Sequence, residues 1–126
     1  MTKEQYSHIL IVNMETLNLA SALEMVGNEK DLLIELMQEF VKAQPLAEEK
    51  LIMLEKAADK TEAAKYVHFY KGAARQLGAE VLAASGQALE DVLRGKKEGN
   101  IDSLNKCFIS DYKAAFDAIN AALSIL

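Results

Sequence analysis

The chain has 126 residues, a formal net charge of −5, and an apolar content of 51 % that consists mostly of Ala, Leu, Ile and Met. This length suits one domain with a single core, and the composition favours an all-α fold, because these residues favour helix over strand. The negative charge and the lack of a basic patch argue against nucleic acid as a partner, since clustered Lys and Arg bind phosphate backbones.

The chain shows no sign of secretion or membrane insertion. The N-terminus MTKEQYSHIL lacks the basic and then apolar pattern of a signal peptide, and the longest apolar run, Ile9–Val12, is far too short to span a membrane. The single cysteine, Cys107, lies on an apolar helical stripe and is predicted to be a buried core residue in a reducing compartment. We therefore expect one cytoplasmic domain over residues 1–126, monomeric and free of membrane contact.

The first predicted helix is short and covers Met14–Val26, and a glycine after it is a stop signal. Asn28 can then cap a second helix, whose apolar stripe keeps its phase across Pro45. A proline normally kinks or breaks a helix. We predict one long kinked helix here, with a break at Gln44 as the alternative.

The third helix is predicted to start near residues 59–61 and to run to Leu77, where Gly78 marks a bend. The fourth covers Ala79 to about Leu93, and its predicted inward residues are Val81, Leu82, Ser85, Leu89 and Val92. Gly86 lies inside that helix, where small residues let helices approach closely. After a polar loop, Asn100 caps a final helix. The pattern predicts an antiparallel four-helix bundle with a short additional N-terminal helix.

The third helix carries two stripes of residues. The apolar stripe follows the spacing of a buried helix face and consists of Ala63, Val67, Tyr70, Ala74 and Leu77. The second stripe consists of His68, Lys71, Gly72 and Arg75 and points roughly 130° away from the first. We therefore predict that His68 and its neighbours face solvent.

This polar stripe suits phosphoryl chemistry. A neutral imidazole nitrogen is a good nucleophile and can take up and release a phosphoryl group. Lys71, one turn from His68, can neutralise phosphoryl oxygens, and Arg75 can add a second cation. Gly72 costs about 1 kcal/mol relative to Ala inside a helix and would leave the imidazole open to another protein. The alternative is that the polar side chains are merely solvated and Gly72 permits helix packing.

The stretch HFYKGAARQLGAEVLAASGQALE resembles the signature of the histidine-containing phosphotransfer (HPt) domain. In that family a phosphorylatable His is followed by Lys at +3 and Gly at +4, then by a Leu-Gly pair and, one helix later, a Leu-Glu pair. The matching residues are His68, Lys71, Gly72, Leu77 with Gly78, and Leu89 with Glu90. The resemblance extends over about residues 13–123. It departs from the family at Tyr70, where many members carry an aliphatic residue.

The resemblance implies a phosphoryl carrier without kinase activity of its own. Such a domain takes the phosphoryl group from the aspartate of one response-regulator receiver domain and passes it to another in a His–Asp phosphorelay. Receiver domains are therefore the expected partners, and that of a hybrid sensor kinase is one candidate. Magnesium would come with the receiver, so no cofactor or metal site is expected in this chain.

The resemblance also implies that exposed apolar side chains near His68 dock the receiver. The candidates are Met14, Leu17 and Met37, although core packing is the more ordinary role for each. The initiating Met and the apolar C-terminus favour a free-standing protein over a piece of a hybrid kinase. Two rival functions are a helical adaptor that binds receivers without transferring phosphate, and a bundle enzyme with polar groups converging inside the core.

Overall fold

The computed structural model describes residues 16–43 and 45–126. Within these two ranges the protein contains six α-helices and no β-strand. The helices are α1 (Leu19–Met25), α2 (Lys30–Lys42), α3 (Glu48–Glu55), α4 (Thr61–Gln76), α5 (Glu80–Leu93) and α6 (Ile101–Ile125). The predicted all-α class is confirmed. None of these helices is both long enough and apolar enough to cross a membrane.

The short N-terminal helix α1 begins later than predicted. The side-chain oxygen of Asn18 accepts a hydrogen bond of 3.0 Å from the N–H of Ser21, and this cap sets the start of the helix. Met14, where this helix was predicted to begin, lies outside the described residues. Asn28 was expected to cap α2, but that prediction is wrong. Its φ of 62° is left-handed, whereas an N-cap takes an extended conformation, and Glu29 is the N-cap instead.

The predicted long second helix is two helices. α2 ends at Lys42 and α3 begins at Glu48, with Pro45 in the connection between them. Proline lacks the N–H that would continue the helical hydrogen bonds, and its ring clashes with the preceding turn. The prediction of one continuous kinked helix was therefore wrong. The alternative placed a break at Gln44, which lies outside the described residues, and the two helices on either side of it end at Lys42 and begin at Glu48. The hydroxyl of Tyr66 accepts a hydrogen bond of 2.9 Å from the N–H of Ala47, which fixes the start of α3 against α4.

The longest helices form an antiparallel bundle. α4 and α5 run in opposite directions. His68 in the middle of α4 contacts Glu90 near the end of α5, whereas Arg75 at the end of α4 contacts Gln87, which comes earlier in α5. α5 in turn packs on α6, α3 packs on α4, and α2 packs on α6. Together α2 and α3 take the place of the predicted second helix, which gives the expected four-helix bundle, and α1 packs on α2 as the additional helix.

The bend between α4 and α5 depends on Gly78. Its φ of 74° is left-handed, and a Cβ at this position would collide with the backbone oxygen of Asn18. The carbonyl of Gly78 accepts a hydrogen bond of 2.8 Å from the N–H of Asn18. The predicted bend is thus confirmed, and it also joins the start of α1 to the α4–α5 hairpin.

The predictions that Cys107 and Val81 are core residues are wrong. Cys107 is exposed, because the fully buried Phe108 takes the inward direction and neighbouring residues point roughly 100° apart around a helix. Val81 is 40 % exposed. Of the other positions predicted to face inward in α5, Leu82 and Leu89 are buried, and Ser85 and Val92 are half-buried.

Candidate functional site

His68 projects outward from the middle of α4. The Asp59 carboxylate accepts hydrogen bonds from the N–H and the hydroxyl of Thr61, and these bonds lead the chain into α4. Buried side chains on the opposite face, among them Val67 and Ala74, hold α4 against the core. The side chain of His68 is consequently 60 % exposed, in the direction that its place on the polar stripe predicts.

The Glu90 carboxylate of α5 is the centre of the site. Nδ1 of His68 lies 3.1 Å from each of its two oxygens. Nζ of Lys71 lies 2.7 Å from Oε1, and Nε of Arg94 donates to Oε2 at 2.8 Å. Only 7 % of the Glu90 side chain is exposed, so two donors from α4 and a third from Arg94, the residue after α5, converge on one buried carboxylate.

Glu90 is ionised at neutral pH. Burial raises its pKa, but hydrogen bonds from Lys71, Arg94 and His68 outweigh burial and lower the pKa to about 2. Because an ionised carboxylate only accepts hydrogen bonds, the Nδ1 that faces it carries a proton. Nε2 is then the nitrogen of the neutral His68 ring that keeps a free lone pair.

Lys71 is buried, which corrects the prediction that it faces solvent. Only 5 % of the Lys71 surface is exposed. Its ammonium group reaches Glu90 and also donates to Oε1 of Gln87 at 3.1 Å. Gly86 of α5 makes room for it. A Cβ at Gly86 would lie 3.1 Å from Cβ of Lys71 and 3.2 Å from Cε1 of Phe108. The close approach of α5 therefore covers the aliphatic part of Lys71, and Gly86 is a packing glycine, as predicted.

Gly72 is not a packing glycine. It is exposed, and a Cβ added to it would meet no atom within 4 Å, so the packing alternative does not explain it. It lines a cleft of about 500 Å³ beside His68, between α2 and α4. Most of the cleft surface is apolar, and the apolar side chains in its lining include Leu36, Phe40 and Phe69.

Two of the docking candidates named from sequence, Leu17 and Met37, do not line this cleft. Leu17 and Met37 are fully buried and belong to the cluster that joins α1, α2 and the end of α6, and Met14 lies outside the described residues. In their place, Phe69 stands next to His68 with 62 % of its surface exposed. The position of Phe69 in the sequence, directly after the histidine and off the apolar stripe, was a signal that could have identified it.

Arg75 lies on the exposed surface of α4, and its Nη2 donates to Oε1 of Gln87 at 3.0 Å. The structure thus brings together His68, Lys71 and Arg75 along one seam between α4 and α5. Sequence reasoning missed the roles of Glu90, Gln87 and Arg94. A signal existed for Glu90, because it and His68 lie at similar distances from the bend at Gly78, and an antiparallel hairpin brings such residues together.

Within residues 16–43 and 45–126, no three His, Cys, Asp or Glu side chains are grouped so that they could hold a metal ion.

A family model for the Hpt domain matches residues 31–123, which is most of the chain and includes His68 and Glu90. Neither the curated proteins nor the solved structures give a significant match. Hpt domains are helical bundles that act as phosphoryl carriers in histidine phosphotransfer and interact with receiver domains. From this match and from the helical bundle described above, we conclude that the chain belongs to the Hpt domain family.

Proposed function

We propose that this protein carries a phosphoryl group on His68 between the aspartates of receiver domains in a multistep His–Asp phosphorelay. One observation carries the assignment to His68. The imidazole is exposed, and its Nδ1 is hydrogen-bonded to an ionised, buried carboxylate. This arrangement leaves Nε2 as a nucleophile that points away from its own helix hairpin.

The proposed step exchanges one phosphorus bond for another. The lone pair of Nε2 attacks the phosphorus of a receiver's aspartyl phosphate, the P–N bond forms, and the P–O bond breaks so that the aspartate leaves as a carboxylate. The phosphorylated ring keeps its Nδ1–H and carries positive charge, which the Glu90 carboxylate stabilises. The reverse step delivers the group to a second receiver. In this proposal magnesium comes with the receiver, and the chain has no kinase activity of its own.

The burial of Lys71 changes the role that we assign to it. Its ammonium lies 2.7 Å from Glu90, so in the unphosphorylated protein its charge is paired. We propose that Lys71 turns from this pair toward the phosphoryl oxygens when His68 is phosphorylated, because a dianion is the stronger partner. Arg94 stays with Glu90 at that moment, so the buried carboxylate keeps a cation.

The apolar cleft beside His68 is the proposed docking surface for the receiver. Leu36 and Phe40 come from α2, Phe69 comes from α4, and Gly72 leaves the approach to the imidazole open. Apolar contact around the reacting atoms also excludes water, which would otherwise compete with Nε2 for the phosphorus. Within this proposal the protein acts as a cytoplasmic monomer.

The test is label transfer from phosphorylated receiver domains. Parent, His68→Gln and His8→Gln proteins are mixed with radiolabelled receivers, and His8→Gln is the control because His8 is the other histidine of the chain. We expect the parent and His8→Gln to take up label that is lost in acid and kept in alkali. His68→Gln should take up none while keeping its helix content. Label that survives in His68→Gln would refute the assignment. Receiver binding without label in the parent would favour the adaptor.

A further inference from the structure

Gln87 lies on α5 one turn before Glu90 and faces the same row of α4 residues. Its side-chain oxygen accepts hydrogen bonds from Nζ of Lys71 at 3.1 Å and from Nη2 of Arg75 at 3.0 Å. Its side-chain nitrogen donates to Oδ1 of Asp91 at 2.8 Å. Because Lys and Arg only donate and an ionised carboxylate only accepts, these three partners fix the orientation of the amide.

The shared acceptor makes the two cations neighbours. Arg75 stands two turns along α4 from His68, but its guanidinium reaches back to the atom that also binds Lys71. An exposed Arg side chain loses rotamer freedom when it is held in one place. Without an acceptor on α5, Arg75 would therefore spend much of its time away from the seam where His68 lies.

The acceptor is also neutral, and this distinguishes it from Glu90. A carboxylate at position 87 would pair with both cations and offset their charge. An amide oxygen orients the same cations and leaves their charge available to a phosphoryl dianion on His68. Glu90 already stabilises the imidazole ring, so a second carboxylate beside Lys71 would work against phosphorylation.

We propose that Gln87 is a positioning residue for phosphoryl transfer, which holds Lys71 and Arg75 side by side next to His68 so that the phosphoryl oxygens meet two oriented cations. Gln87 acts through these two side chains and does not itself contact the phosphoryl group. Asp91 supports it by holding the amide in the orientation that presents oxygen to the cations. This inference rests on the proposed phosphorylation of His68.

Two variants test the proposal. Gln87→Met keeps the length of the side chain and removes the acceptor, and Gln87→Glu keeps its shape and adds a charge. Gln38→Glu, on the exposed face of α2, is the matched control for the added charge. Each protein receives label from a receiver domain phosphorylated with acetyl phosphate. The measurements are the transfer rate at saturating receiver, the receiver concentration at half the maximal rate, and a thermal melt.

We expect both Gln87 variants to lower the saturating rate by about tenfold or more, which corresponds to about 1.4 kcal/mol of barrier. The half-saturating receiver concentration should stay close to the parental value, and Gln38→Glu should behave as the parent. Parental saturating rates in the Gln87 variants would overturn the proposal. A higher half-saturating concentration at an unchanged saturating rate would also overturn it, because that result indicates docking.

If Gln87→Met unfolds early, the isosteric Gln87→Glu decides the question alone. His68→Gln in the same assay separates the two levels of inference. Label that persists in His68→Gln refutes the proposed function itself. If His68→Gln takes up no label and the Gln87 variants transfer at parental rates, only the role of Gln87 is refuted.

Discussion

At the scale of single residues, the chemistry proposed for His68 depends on the negative charge of Glu90, which accepts a hydrogen bond from the imidazole. The buried Glu90 carboxylate accepts from the ring, from Lys71 and from Arg94. These donors replace the water that burial removes, and each hydrogen bond to a charged group contributes about 1.5–3 kcal/mol. In the proposed function the same carboxylate therefore selects the reactive nitrogen of His68, and it also joins α4 to α5, so that the proposed chemistry and the stability of the hairpin are linked.

Glu90→Gln should destabilise the protein at neutral pH, because Lys71 loses its charged partner in a buried position. The pKa of Glu90 falls from 4.5 to about 2 on folding, so its ionised form contributes on the order of 3 kcal/mol above pH 5. A lowered pKa means that this contribution is lost as the pH falls from about 4.5 toward 2. The difference in unfolding free energy between parent and Glu90→Gln, measured by urea denaturation, should thus be large at pH 7 and small near pH 2.

Glu62→Gln is the control for this pH dependence, because the exposed Glu62–Lys65 pair, with an N–O distance of 3.5 Å, should contribute little. If the difference in unfolding free energy between parent and Glu90→Gln were the same at pH 7 and near pH 2, this would contradict the ionic role of Glu90.

At the scale of helices, two glycines in the α4–α5 hairpin have opposite purposes. Gly86 lies where α5 presses on Lys71 and Phe108, whereas the position of Gly72 opens onto the cleft. Both glycines lower the intrinsic stability of their helix by about the same amount relative to Ala. The surroundings therefore decide what a methyl group does at each position.

We expect Gly72→Ala to raise the unfolding free energy by roughly 0.5–1 kcal/mol, the ordinary gain for an exposed position inside a helix. Gly86→Ala should lower it, because Cβ of Lys71 is fixed to the backbone and the Phe108 ring is fully buried, so neither can move aside easily. The two variants serve as each other's control in one set of thermal melts. Equal changes of the same sign would show that helix propensity alone governs both positions.

The cleft gives Gly72 a second, functional test. Gly72→Gln should be at least as stable as the parent, since the Cβ of the added side chain meets no atom within 4 Å. If the proposed function is right, it should nevertheless transfer phosphoryl groups much more slowly, because the longer side chain extends over the approach to His68. Stability comes from a thermal melt, and transfer from a time course with a phosphorylated receiver. Transfer at the parental rate would show that this approach is wider than the cleft suggests.

The hydrophobic period predicted the helices of the hairpin and the outward direction of His68. It did not predict which residues are buried where burial depends on how closely two helices approach. Lys71 shares the polar stripe with His68, yet the approach of α5 at Gly86 buries it. Similarly, the apolar phase continues across Pro45, but phase alone does not supply the hydrogen bonds that the proline removes.

At the scale of the whole molecule, two buried carboxylates respond to pH in opposite directions. Glu55 of α3 accepts a hydrogen bond of 2.5 Å from Nδ2 of Asn105 on α6. Its Oε2 and the Oδ1 of Asn105 are buried without a hydrogen-bond partner among the described residues. Desolvation raises the pKa of Glu55, although the hydrogen bond from Asn105 and the charge of Lys60 act against this. The ionised form of Glu55 therefore opposes folding, whereas that of Glu90 supports it.

Glu55→Gln should consequently stabilise the protein at neutral pH. A raised pKa means that the protonated Glu55 contributes stability below about pH 4.5, and that this contribution is lost as the pH rises through the pKa of the folded state. The Gln amide resembles the protonated acid, since it can accept from Nδ2 of Asn105 and donate to its Oδ1. We expect a gain of about 1 kcal/mol or more at pH 7, because an unsatisfied buried polar atom costs roughly that much.

The gain from Glu55→Gln should shrink as the pH falls toward 4, where the parental carboxyl group takes up its own proton. Urea denaturation of parent and variant at pH 4, 5, 6 and 7 measures it. Glu55→Leu separates the charge from the hydrogen bonds, because it removes the ionised group but leaves Asn105 without a partner, so it should be less stable than Glu55→Gln at every pH. If Glu55→Gln were less stable than the parent at pH 7, the ionised carboxylate would have a stabilising partner, and Glu55 would act on the bundle as Glu90 does.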